Sequence, residues 1–147
     1  MEVMRLSELR KGMKFPDYQY TLRPDIIETY IKAVEETDPL YTDEDYARQG
    51  PFGARIVPPT TIAIYVTPSQ VFKDIGKKPP SGMIQTAQKF NFFNPITIGE
   101  TVTARASIDD IYQKKGRNYV VMKADAYNEK GDRVASSYLT FIWPAES

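Results

Sequence analysis

The 147-residue chain contains no cysteine and no histidine. Without cysteine it has no disulfide, no thiolate metal site and no cysteine nucleophile. Without histidine it lacks the usual general base at neutral pH, the Ser-His-Asp triad and most zinc and iron sites. Proton transfer then falls to Asp, Glu, Tyr, Lys or water. Neither sign of charge is in excess, because 19 Lys and Arg balance 19 Asp and Glu. That balance offers no electrostatic footprint for nucleic acid or an anionic membrane. No window approaches the ~18 consecutive apolar residues of a membrane span. Residues 1–9 carry Glu2, Arg5 and Glu8 and lack the apolar run of a signal peptide. The expectation is a cytoplasmic chain with no nucleic-acid or membrane partner and no cofactor.

What is present reads as one ordinary globular domain over residues 1–147. Hydrophobic residues make up 41% and charged residues 26%, as in common globular chains. There is no internal repeat and no long linker; proline and glycine instead punctuate short loops. Tyr18, Tyr20 and Leu22 alternate with Gln19 and Thr21, which predicts a strand. Pro24 suits the first position of a helix. Ile26, Ile27, Tyr30, Ile31 and Val34 then fall at helical spacing, so a helix is expected from Pro24 to Glu36. Asp38-Pro39 ends it, since the residue before proline is pushed away from helical angles. A second short helix is expected with Thr42 as N-cap and Asp43, Glu44 and Asp45 in its first turn.

Thr60 to Val66 is ambiguous on propensity alone. Its β-branched residues suit a strand. Pro58-Pro59 in front make a good helix entry, and apolarity on every side is the mark of a fully buried helix. From Met83 onward the pattern changes to period two. Strands are expected over Ile84 to Phe92, Thr101 to Tyr112, Asn118 to Tyr127 and Arg133 to Trp143. Lys115-Gly116 and Lys130-Gly131-Asp132 are the hairpin turns between the last three. Helices early and antiparallel strands late give an α+β class. The sheet must curl around the short apolar helix, and an exposed edge or face would favour dimerisation.

The run Thr37-Asp38-Pro39-Leu40-Tyr41-Thr42-Asp43-Glu44-Asp45-Tyr46-Ala47 resembles the MaoC-like hydratases and dehydratases, in particular their FAS1-like (MaoC N-terminal) dehydratase domains. The likeness continues through Ile56-Val57-Pro58-Pro59-Thr60, Phe90 to Ile96, Gly99-Glu100-Thr101-Val102 and Phe141-Ile142-Trp143. It implies the hot-dog fold, in which an antiparallel sheet wraps a central helix, here from about Pro59 to Val66, and two protomers pair as a double hot dog. It implies substrates that are coenzyme A or acyl-carrier-protein thioesters, and reversible addition of water across an α,β-unsaturated acyl chain. Active members resemble Gly-Asp-x-Asn-Pro-x-His. On that pattern this chain has Glu35, Glu36, Thr37, Asp38, Pro39, Leu40 and Tyr41, so the aspartate becomes Glu36 and the histidine Tyr41. The catalytic candidates implied are Glu36 and Tyr41, and the substrate contacts Asp38, Pro59, Thr60, Thr61 and Phe92.

Each of these has a plainer reading. Glu36 is a solvated carboxylate at a helix end, Asp38 a turn former and Tyr41 a half-buried loop packer. A carboxylate can act as a base, especially if buried; a phenol of ordinary pKa about 10 is a poor one and a fair donor. Backbone N–H groups of Thr60 and Thr61, at a helix start, are expected to be unpaired and able to hold an enolate-like oxygen, though most such donors only need capping. Phe90, Phe92 and Phe93 pack the sheet or line an acyl tunnel. Lys77-Lys78 and Lys114-Lys115-Gly116-Arg117 are solvated turns or anchors for phosphate. The missing histidine favours a substrate-binding subunit, homodimeric or paired with a related histidine-bearing hot-dog subunit. The alternatives are a self-sufficient hydratase or dehydratase using Glu36 and Tyr41, and an acyl-thioester hydrolase.

Overall fold

A computed structural model describes residues 1–146. Its elements run in chain order β1 (Glu2–Val3), β2 (Tyr18–Thr21), α1 (Pro24–Ala33), α2 (Pro39–Thr42), α3 (Glu44–Arg48), a 3-10 turn (Pro59–Thr61) leading into α4 (Ile62–Tyr65), α5 (Pro68–Phe72), β3 (Lys77–Lys78), β4 (Ile84–Phe92), β5 (Thr101–Lys114), β6 (Arg117–Tyr127) and β7 (Arg133–Trp143). Five strands form one sheet in the order β2-β5-β6-β7-β4, with every pairing antiparallel. β1 and β3 pair separately and in parallel.

Alternation decides which face of the sheet is buried. Val102, Ala104, Ala106 and Ile108 of β5, Val120, Met122, Ala124 and Ala126 of β6, and Ala135, Leu139, Phe141 and Trp143 of β7 are all core residues. Ile62 and Tyr65 of α4 and Val71 and Phe72 of α5 enter the same core. Burying each such side chain contributes roughly 1.5–3 kcal/mol. The sheet therefore wraps α4, which is the hot-dog arrangement, and the ambiguous segment is helical. Enclosure is not complete, however. Ala63 is exposed and Ile64 half-buried, so the face of α4 turned toward α1 stays open. Pro68 ends the α4 run and opens α5 at its first position.

The tight β5–β6 turn has φ +51° at Lys115 and +74° at Gly116, the paired positive angles of a type I′ hairpin. β4 is an edge strand with most of its length exposed, Ile84 and Phe92 among the large apolar residues left open.

β5 runs on to Lys114 and β6 starts at Arg117, each slightly longer than expected, and the boundaries around the end of α1 differ more. α1 stops at Ala33 rather than Glu36, because Glu35 turns left-handed at φ +56°. Its N–H donates to Lys32 O (3.2 Å), and the Glu36 N–H reaches back to Ile31 O (3.0 Å), closing a Schellman motif. Pro39 does more than end a helix, since it opens α2, with Asp38 as the N-cap. Thr42 is the last residue of α2; Asp43 caps α3 by accepting from the Tyr46 N–H (3.0 Å). A carboxylate matches an N-cap at least as well as a threonine hydroxyl.

Candidate functional site

Two features compete for the name of site, and they lie on different elements. The first is the turn that follows α1. The Glu36 carboxylate, half-buried, accepts from the N–H groups of both Thr37 and Asp38 at 3.0 Å. Asp38 accepts from the Leu40 N–H at 2.9 Å, and its carbonyl receives the Tyr41 N–H (3.0 Å) and the Thr42 hydroxyl (3.1 Å). Tyr41 packs partly against the core. Burial first, then the nearby Asp38 and Glu36 carboxylates, pushes its phenol above the ordinary value. Glu36, Asp38 and Tyr41 are thus gathered in one turn, with an engaged carboxylate beside a phenol held more firmly in its neutral form.

The turn is held by a residue that sequence reading did not single out. Arg55 has a side chain only 12% exposed. Its Nε donates to the Tyr41 carbonyl (2.8 Å), one terminal nitrogen bonds Glu28 of α1, and the other lies 3.8 Å from Glu44 of α3. One guanidinium thus ties α1, α2 and α3 together, a use of its planar fork that lysine cannot imitate. A lone arginine in a Gly- and Pro-rich loop gives no periodic signal, which is why it escaped notice.

The second feature is an apolar cleft of about 250 Å³ between α4 and the β4–β7 end of the sheet. Pro59, Tyr65, Phe92, Phe93, Val134 and Ala135 are among its walls, together with Ile56 and Val57 from the strand-like segment after Arg55. Phe92 and Phe93 are each 47% exposed at its rim, and the Arg133 guanidinium stacks on the Phe93 ring at 4.1 Å. Pro59 and Phe92 therefore meet here. Glu36, Asp38 and Tyr41 do not line it.

The two threonines part company. Thr61 is buried, with its N–H (3.0 Å) and hydroxyl (2.8 Å) both donated to Pro58 O. The expectation of a free Thr61 N–H is thereby corrected, because the 3-10 entry into α4 consumes it. Thr60 is exposed and shares a 2.5 Å hydroxyl–hydroxyl bond with Tyr30 of α1. Of the lysines expected in loops, Lys77 lies instead in β3 and is engaged with Glu2 (2.8 Å) and Glu8 (2.9 Å). Among the described residues no three His, Cys, Asp or Glu side chains form a metal-binding group. No helix among the described residues is long and apolar enough to cross a membrane.

Comparison with known proteins places this geometry. Residues 10–137 match the family model for the FAS1-like dehydratase domain region. A UPF0336 protein of Mycobacterium tuberculosis is 28% identical over 142 residues, which is 93% of this chain and 89% of that protein. A UPF0336 protein of Mycobacterium leprae is 27% identical over 145 residues, 95% of this chain and 86% of that one. Among solved structures, the (R)-hydratase from A. caviae involved in PHA biosynthesis superposes with a TM-score of 0.76 at 17% identity, covering 92% of this chain and 98% of that chain. A chain of the HadBC (3R-hydroxyacyl-ACP dehydratase) complex from Mycobacterium tuberculosis does so with 0.78 at 24% identity, covering 90% and 96%. At these identities the superpositions establish the hot-dog fold, and the family match establishes kinship. The chain belongs to the family of FAS1-like dehydratase domains.

Proposed function

We propose that this polypeptide binds the acyl part of a coenzyme A or acyl-carrier-protein thioester, and that a related hot-dog subunit bearing histidine completes a (3R)-hydroxyacyl dehydratase or enoyl hydratase. The observation that carries this reading is a pairing of opposites. An apolar cleft with Pro59 and Phe92 in its wall is present, while the turn in the place of the family's Asp and His holds an engaged Glu36 and a phenol of raised pKa. Dehydration needs two groups that exchange a proton at neutral pH. This chain keeps the means to bind and lacks the usual means to react.

The same reading assigns each residue a role. Phe92 and Pro59 contact the acyl chain. The Thr60 N–H, at the entry to α4, faces the thioester carbonyl, where a preorganised donor would steady an enolate-like oxygen. Asp38 shapes the turn, and Tyr41 donates a hydrogen bond rather than taking a proton. The exposed edge of β4 is the seam for the second subunit, by strand addition across its unpaired backbone groups. Two solved neighbours of the same fold, HadBC and ChsH1-ChsH2 of Mycobacterium tuberculosis, are complexes, which supports a paired arrangement.

The test is direct. The purified chain is mixed with a short enoyl-coenzyme A and loss of the enoyl thioester absorbance is followed. The expected result is binding without turnover, with turnover appearing once a histidine-bearing hot-dog partner is added. Turnover by the chain alone that falls in Glu36→Gln would instead establish a self-sufficient enzyme. Release of free thiol would establish a hydrolase.

A further inference from the structure

Nearly every wall of the cleft is hydrocarbon, which makes its polar groups conspicuous. Asn94 is one, but its side-chain amide already donates to Arg133 O at 2.7 Å. Tyr65 is the other. It is 1% exposed, its ring stacks on Tyr20 with centroids 5.7 Å apart, and its main-chain carbonyl receives the Tyr18 hydroxyl at 2.6 Å. Backbone and ring are therefore fixed. The phenol oxygen, by contrast, bonds no group among the described residues. It is not sealed in either, since the one fully enclosed side-chain polar atom without a partner among them is Ser137 Oγ. The open space that Tyr65 lines is the cleft.

Burial raises the Tyr65 phenol far above the ordinary value, so it stays neutral and able to donate. Ser137 lies two residues beyond Ala135 on β7, on the same inward face. The unpartnered hydroxyl of Ser137 thus sits one pleat behind a wall of the cleft. An all-hydrocarbon chain filling this space would strip the Tyr65 hydroxyl of water and give nothing back, a cost a ligand oxygen removes.

We propose that the acyl chain held in the cleft carries an oxygen function, hydroxyl or carbonyl, farther along than the C3 position of the hydration reaction, and that the Tyr65 hydroxyl hydrogen-bonds it. The proposal rests on the thioester reading above and narrows its substrate class. Tyr65 is then a specificity residue, and Phe at this position would convert the cleft to one for plain fatty acyl chains.

The probes are pantetheine thioesters, since that arm is common to coenzyme A and carrier protein. Hexanoyl-pantetheine is compared with its 4-, 5- and 6-hydroxy and 4- and 5-oxo derivatives by titration calorimetry on the full chain. At least one oxygenated isomer is expected to bind about tenfold more tightly than hexanoyl. Tyr65→Phe is expected to erase that preference, with far-UV circular dichroism and a cooperative thermal transition showing that the variant is folded. Hexanoyl binding with no isomer preferred overturns the oxygen proposal and spares the thioester reading. A preference that survives Tyr65→Phe overturns the role of Tyr65. Binding of none of the probes overturns the thioester reading and this inference with it.

Discussion

Glu35 occupies a left-handed backbone position, φ +56°, at the C-terminal end of α1. A residue with a Cβ pays about 1–2 kcal/mol there. Glycine pays nothing sterically, yet loses back roughly 0.4–1 kcal/mol through the greater freedom of its unfolded chain. Glu35→Gly should therefore stabilise the chain by about 0.5–1 kcal/mol. For a domain of this size that is a rise in Tm of roughly 1–3 °C. Charge confounds the comparison, because a carboxylate near a helix C-terminus also opposes the helix dipole. Glu35→Ala removes the charge and keeps the Cβ, so the glycine variant must be compared with the alanine one. Thermal and urea unfolding of the three proteins should place glycine highest. A glycine variant no more stable than the alanine variant would refute the assignment of strain to Glu35, and with it the Schellman geometry that places Glu36.

Two further outcomes follow from the charged contacts. Arg55→Ala removes a charge-assisted bond to Glu28 and the bond to the Tyr41 carbonyl, and should cost about 2 kcal/mol in urea unfolding, with amide exchange speeding up across residues 38–48. Lys77 holds the Glu2 and Glu8 carboxyls below their ordinary 4.5 and is itself raised above 10.5 by them, its hydrogen bonds to both carboxylates contributing most. Depressed acids contribute stability that is complete above the unfolded value and lost as pH falls through the folded one; a raised lysine contributes below its unfolded value and loses that as pH rises further. The Tm gap between wild type and Lys77→Met should accordingly be open at pH 7 and close below about pH 4; a gap independent of pH would refute the network.

The strands were the most legible part of the sequence. β4 and β7 begin and end where alternation said they would, because a pleat with one covered face leaves the sequence little freedom. Residues 59–66 were harder, since a short apolar run carries no period and its strand and helix signals balance, so that the family likeness decided for helix there. Ala63 and Ile64 were expected to be enclosed with the rest, and their openness reflects a face that the chain's own elements do not reach. The likeness also singled out Glu36, Asp38 and Tyr41, which lie in one turn, but it could not tell that the Glu36 and Asp38 carboxylates would be spent on backbone N–H groups. Thr61 failed as a donor for the same local reason, a 3-10 entry that uses its N–H. Arg55 and Tyr65 are placed by tertiary contacts 14 and 47 residues away in sequence, to the Tyr41 carbonyl and from the Tyr18 hydroxyl, beyond any window of local pattern.

Arg55 grips position 41 by its carbonyl oxygen and leaves the ring alone. The main chain of α2 is thus anchored at residue 41 independently of the packing that its ring makes against the core. Imidazole could replace phenol there without disturbing the bond that fixes the main chain.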